Sequence, residues 1–341
     1  MSQKPLSRRA LMAGTAVGAA LVAASSADRV IAATTPTPET AMPVPTVPPP
    51  NPYPVKPAHQ IEAEQLVEYL RLLPWSNSAN RYRANDKTWE TGTHAIFGRP
   101  GHPEEFNALA QCASFIGMML ERAYGTTPAT TPPIGATTPP WPSTAYAWAD
   151  ETFWARFGVD PKDPDRHFPT AEQFRAGFAN ASAIPHIDPV TKPVNLRPGD
   201  LVALDYLPNA STTPGGYTGH IVMIRERKGT WEDPAVDIKV GPNVIPYVFE
   251  VIDCTSEPHG NPTGTAALDL FRAFPDTRWE ETVDAAGRST WNSYTGVGYG
   301  HMIFYADAAT KLFAGYRHSV TAPTPWKMNE RPIAAARVNH V

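Results

Sequence analysis

The spacing of apolar residues changes character part-way along the chain. Over residues 59–73, Ile61, Leu66, Tyr69, Leu70 and Leu73 recur at helical spacing and predict an amphipathic helix that Pro74 ends. A second helix is predicted from about residue 105 to 124. There Leu109, Cys112, Phe115, Ile116, Met119, Leu120 and Ala123 share one face and Gly125 closes the run. Residues 145–157 and 170–181 read as two more helices, the latter capped by Thr170 with Gln173 at its third position. After Pro193 the apolar residues fall in short or alternating runs between turn residues: 201–206, 220–225, 236–240, 244–254 and 302–306. These predict strands. Helices first and strands later predict an α+β fold, helices packed on an antiparallel sheet.

The N-terminus follows a different pattern. Ser7-Arg8-Arg9 precede Leu11 and Met12, an Ala/Gly/Val run extends to Ala24, and small residues stand at Ala32 and Ala33. Residues 1–33 thus predict a twin-arginine (Tat) export signal. The run is Ala-rich and shorter than the ~20 strongly apolar residues a membrane span needs. The expected product is a cleaved chain in the periplasm or outside the cell, with no stable membrane insertion. Residues 34–57, with Pro43, Pro45, Pro48, Pro49 and Pro50, predict a Pro/Thr-rich linker, and 126–142 a Thr/Pro loop. Residues 58–341 remain as a single α+β domain with insertions, long enough for a full core.

Composition narrows the partners. Hydrophobic residues make up 42% and charged residues 18%, as in a globular body. The formal net charge is −4, and no block of five Lys or Arg occurs. Attraction to nucleic acid or an anionic membrane by bulk charge is therefore not expected. No His-Glu-x-x-His, Cys-x-x-Cys or phosphate-binding glycine loop is present, so no metal and no cofactor are expected.

The candidate chemistry rests on a thiol. Cys112 lies early in a predicted helix, Arg197-Pro198-Gly199-Asp200 turns into a strand, Gly219-His220 opens the next, and a later strand ends in Asp253. A thiol is mostly protonated at neutral pH; a helix N-terminus and an imidazole favour the thiolate, and a third polar group orients the imidazole. Other readings stand beside this one. Cys112 fits a core position, and with Cys254 it makes an even count that permits a disulfide. Successive strand residues face opposite ways, however, so Cys254 turns away if Asp253 faces a site. His301 opens a second Gly-His strand, His259 is a turn or rim residue, and Glu250 is an alternative orienter. Trp75, Trp89, Trp141, Trp148 and Trp154 are core or a binding wall; Arg81, Arg83 and Arg99 are surface or carboxylate contacts.

Gln111-Cys112-Ala113-Ser114-Phe115, Arg197-Pro198-Gly199-Asp200-Leu201-Val202, Gly219-His220-Ile221-Val222 and Val251-Ile252-Asp253 together resemble the NlpC-type cysteine peptidases and the related CHAP amidases. The resemblance implies a papain-like fold with Cys112 as nucleophile, His220 as general base and acid, and Asp253 as the orienting residue. It places Gln111 and Tyr82 as oxyanion or substrate candidates. It implies cleavage of amide bonds in peptidoglycan peptides through a thioester. The alternatives are an inactive envelope-binding protein on the same fold, or a thiol amidase or acyltransferase with a non-wall substrate.

Overall fold

In the computed structural model, residues 56–83, 93–124, 151–160, 162, 167–206 and 219–339 are described. The predicted export signal, all but the end of the linker, and the 126–142 loop lie outside these residues. The chain is mixed α+β, and its main sheet has eight strands in the order β12-β11-β10-β7-β6-β5-β13-β4. The strands are β4 (Ile187–Val190), β5 (Leu201–Asp205), β6 (Gly219–Thr230), β7 (Val244–Thr255), β10 (Gly296–Asp307), β11 (Phe313–Arg317), β12 (Pro325–Lys327) and β13 (Ile333–Val338). All neighbours in this sheet run antiparallel. A smaller sheet orders β1 (Asn80–Tyr82), β3 (Asn107–Ala110) and β2 (His94–Ile96). Residues 279–293 form the two-stranded ribbon β8 (Trp279–Val283) and β9 (Ser289–Ser293). No described helix is long and apolar enough to cross a membrane.

Alternation along the central strands gives the main sheet two apolar faces. Leu201, Ala203, Ile221, Met223, Ile252 and Cys254 join the core formed by helices α1 (Ala58–Leu70), α2 (Cys112–Tyr124) and α4 (Ala171–Ala179). Val202, Leu204, Val222, Ile224, Phe249 and Val251 face a second core with Phe304 and Tyr316. The four central strands therefore read as near-continuous hydrophobic runs, as strands buried on both faces must.

Several expectations are corrected. The helix expected from residue 105 is a strand followed by a helix. Asn107–Ala110 alternates half-buried and buried residues and pairs with both β1 and β2, and the helix starts only at Cys112. Leu109 and Cys112 are compatible with either period, which hid the break. The first helix stops at Leu70, before Pro74; its buried side is His59, Gln60, Ala63, Leu66 and Val67, whereas Ile61 and Leu73 are exposed. Residues 234–237 are a short helix, α5 (Pro234–Asp237), rather than a strand: Pro234 stands in its first turn and Asp237 accepts the Asp233 N–H at 2.8 Å. The expected 145–157 helix is seen as α3 (Glu151–Ala155), and residues 145–150 lie outside the described ones. The Thr170–Gln173 capping box forms as the sequence predicts.

The Pro-Gly-Asp turn has a visible structural task. Asp200 accepts the Arg197 N–H and takes a two-pronged contact from Arg337 on β13, each bond 2.8 Å. The Gly199 carbonyl accepts Nε2–H of buried His59 at 2.7 Å, while His59 Nδ1 accepts the Tyr124 hydroxyl at 2.6 Å. One ring thus joins the start of α1, the end of α2 and the turn that launches β5. His59→Phe removes the ring's hydrogen bonds to the Gly199 carbonyl and the Tyr124 hydroxyl and is expected to cost about 2 kcal/mol or more in urea unfolding. An unchanged midpoint would show that the ring is not a tie.

Candidate active site

Cys112 is the first residue of α2, and three contacts set its position. Asn80 clamps β1 to β10: its side chain donates to the Val297 carbonyl at 2.9 Å and accepts the Val297 N–H at 2.8 Å. β1 pairs with β3 so that Tyr82 stands opposite Ala110, which closes the long sequence gap between Tyr82 and the cysteine. The Ala110 carbonyl accepts the Arg83 N–H at 2.9 Å and the Cys254 thiol at 3.2 Å. The helix then starts with its own cap, since Ser114 Oγ accepts the Gln111 N–H at 2.9 Å. Gln111 donates its side-chain amide to the Arg83 carbonyl at 2.9 Å, so one role of this oxyanion candidate is to brace the turn before the thiol.

The antiparallel pairing of β6 and β7 puts the start of one beside the end of the other, and so His220 near Asp253. His220 Nε2 donates to Asp253 Oδ2 at 2.6 Å. Cys112 is near enough to raise the pKa of the same ring, and Asp253 leaves Nδ1 as the nitrogen open to the thiol. Burial deepens along the row: Cys112 is 6% exposed, His220 5% and Asp253 0%.

Behind Asp253 lies a second layer. His259 Nε2 donates to the same Oδ2 at 2.9 Å, and Arg278 Nη1 donates to Oδ1 at 2.8 Å. Arg278 also grips Asp276 with Nε and Nη2 at 2.9 and 2.7 Å. Burial alone would neutralise Asp253, but the Arg278 and His259 charges and the histidine hydrogen bonds hold its carboxyl well below the usual range. Burial likewise opposes charge on His220, yet the bonds and charges of Asp253 and Cys112 prevail and push its pKa up to about 10.

The sequence candidates separate cleanly in space. Cys112, His220 and Asp253 come together. Cys254 does not form a disulfide: both thiols are free, and Cys254 packs in the helix-side core, where burial pushes its thiol well above the usual value. His301 binds the Pro275 carbonyl at 2.9 Å, and burial lowers it to about 4. Glu250 pairs with Arg225 at 2.9 Å and Lys228 at 3.2 Å, away from the thiol. Trp154 is core, Trp75 stacks on Tyr294, and Arg99 pairs with Glu105; Trp89, Trp141 and Trp148 lie outside the described residues.

His259, Asp276 and Arg278 are the residues that sequence reasoning missed or placed only as a turn. A signal for them was present in β10. A Cβ on Gly300 would stand 2.5 Å from both Asp276 and His259, and one on Gly298 would stand 2.8 Å from Thr277 and 3.1 Å from Arg278. Alternate glycines on one strand face mark a close approach by other groups.

His220, Asp253 and His259 are also residue types that hold metal ions, with ligand atoms all within 4.8 Å. Here the gaps between those atoms are hydrogen bonds, and the Arg278 guanidinium already shares the carboxylate, which opposes a cation. We therefore read the cluster as a proton-linked one. Comparison with known proteins gives no match among family models, curated proteins or solved structures.

The His220 shift predicts a pH dependence. The folded ring keeps its proton to about pH 10, whereas an unfolded histidine loses it near 6.5. Its contribution is complete below about pH 6.5 and is lost as pH rises to about 10. Thermal unfolding of the wild type is expected to fall across this window relative to His220→Gln. Parallel curves would contradict the charged ring.

Proposed function

We propose that the protein is an exported cysteine hydrolase on a papain-like, NlpC-type scaffold that cleaves amide bonds in peptidoglycan peptides. The observation that carries this reading is a thiol at a helix start, joined to an imidazole whose far nitrogen is fixed on a buried carboxylate. The order of elements fits it: nucleophile on a helix, base and orienter on adjacent antiparallel strands.

In this mechanism the charged His220 ring carries on Nδ1 the proton that Cys112 gives up, and the sulfur attacks the amide carbonyl carbon. The N–H groups of the first helical turn point out of the helix start and stabilise the oxyanion. Collapse breaks the C–N bond, and His220 returns its proton to the leaving amine. Water then attacks the thioester with His220 again as base; the acid departs and the thiol is restored. Asp253 accepts from Nε2 throughout and holds the ring in the tautomer this sequence needs. The twin-arginine segment supports placement in the periplasm or outside the cell, where wall peptides are accessible.

The test is mature protein and its Cys112→Ala variant on isolated peptidoglycan, with released fragments identified by mass spectrometry. Fragments from the wild type alone, abolished by iodoacetamide, are expected and name the bond. Identical release from both proteins rules out the thiol mechanism. No release from either, with wall binding that survives the substitution, favours an envelope-binding protein.

A further inference from the structure

Asp253 Oδ2 receives two imidazoles, although one is enough to orient a catalytic ring. The second belongs to His259, whose side chain is fully buried. Its Nδ1 lies 2.6 Å from the His318 carbonyl and its Nε2 lies 2.9 Å from Asp253 Oδ2. A carbonyl and a carboxylate oxygen only accept, so both ring nitrogens donate and the ring carries both protons. Its backbone N–H donates to Asp276 Oδ2 at 2.6 Å, and Asp276 is in turn gripped by Arg278. The residue is therefore held at three points, two of them on its ring, and the ring shares with His220 the same carboxylate oxygen.

We propose that His259 is a positioning residue: together with Arg278 it keeps Asp253 a pure acceptor, so that the Nε2–H of His220 stays fixed on the carboxylate and Nδ1 faces the thiol whether the ring is charged or neutral. A protonated Asp253 would itself donate to His220 Nε2. A neutral ring would then hold its proton on Nδ1, where it cannot take one from the sulfur. The purpose of the lock rests on the thiol-hydrolase reading, but its existence does not. The charged or titratable groups that face the pair come from several elements. They are Cys112 on α2, Tyr206 after β5, His220 on β6, Asp276 and Arg278 before β8, and His318 after β11. The His318 ring lies 4.3 Å from that of His259 and adds no further positive charge, because burial and the neighbouring histidines hold it well below its usual pKa. Asp253 and Asp276 thus share one buried group with Arg278, His259 and His220.

The test reads the thiol and the rings rather than a substrate. Alkylation of Cys112 by iodoacetamide is followed against pH in the wild type and in His259→Gln, Arg278→Gln and Arg278→Lys. His259→Gln retains an amide donor but no charge. Loss of a nearby cation lets Asp253 protonate sooner, so the acid limb is expected to move up by about 1–3 pH units in the two Gln variants and less in Arg278→Lys. In the wild type, ring ¹⁵N resonances are expected to show both nitrogens of His259 and both of His220 protonated at pH 7. An unmoved acid limb in folded His259→Gln, or a His259 ring with one proton at pH 7, overturns the proposal. If the variants do not fold, the wild-type spectrum decides. Failure to cleave wall peptides would leave these results intact, and failure of the lock would leave cleavage intact.

Discussion

A fully buried carboxylate sets the terms for this fold. Asp253 has no water to stabilise its charge, and an unpaired ion in such a place costs several kcal/mol. The chain meets this demand with groups from three separate segments: His220 on β6, His259 just past β7, and Arg278 at the root of the β8–β9 ribbon. Arg278 needs a second anion in its turn, which Asp276 supplies. Each partner draws another segment into place, so the loops beyond β7 fold around the carboxylate as much as around apolar contacts.

The geometry of β10 follows from the same demand. The group of buried charges lies against its glycines, and its register with β7 sets Gly298 opposite Asp253. On the near side, the Asn80 clamp holds the small sheet at the start of β10, and that sheet delivers Cys112. The thiol and the charge group thus reach the same strand from two directions, one through the Asn80 side-chain clamp and one through the glycine face.

This division explains what could be read in the chain beforehand. Cys112, His220 and Asp253 were legible because each sits where a periodic element starts or ends, at positions that turn residues mark. The break between β3 and α2 was not, since four residues of alternation blend into a helical pattern when apolar residues serve both. β11, β12 and β13 escaped because they are short and their pairing partners are distant in sequence. Arg278 and Asp276 escaped for another reason: two charged residues in a short exposed-looking run carry no periodicity, and only the third dimension buries them. The alternating glycines Gly296, Gly298 and Gly300 of β10 stand in plain view in the sequence, but what lies on that face is a matter of long-range contact.

The position of β13 has a consequence for how the molecule comes to exist. This last described strand does not add to an edge; it fits between β5 and β4. Until it arrives, the wholly buried Leu201–Asp205 strand presents a bare apolar rim with unpaired N–H and C=O groups. A chain emerging from the ribosome carries that open slot while residues 206–332 are made. Among the described strands β13 is the last to be made, so the interior of the sheet can close only late.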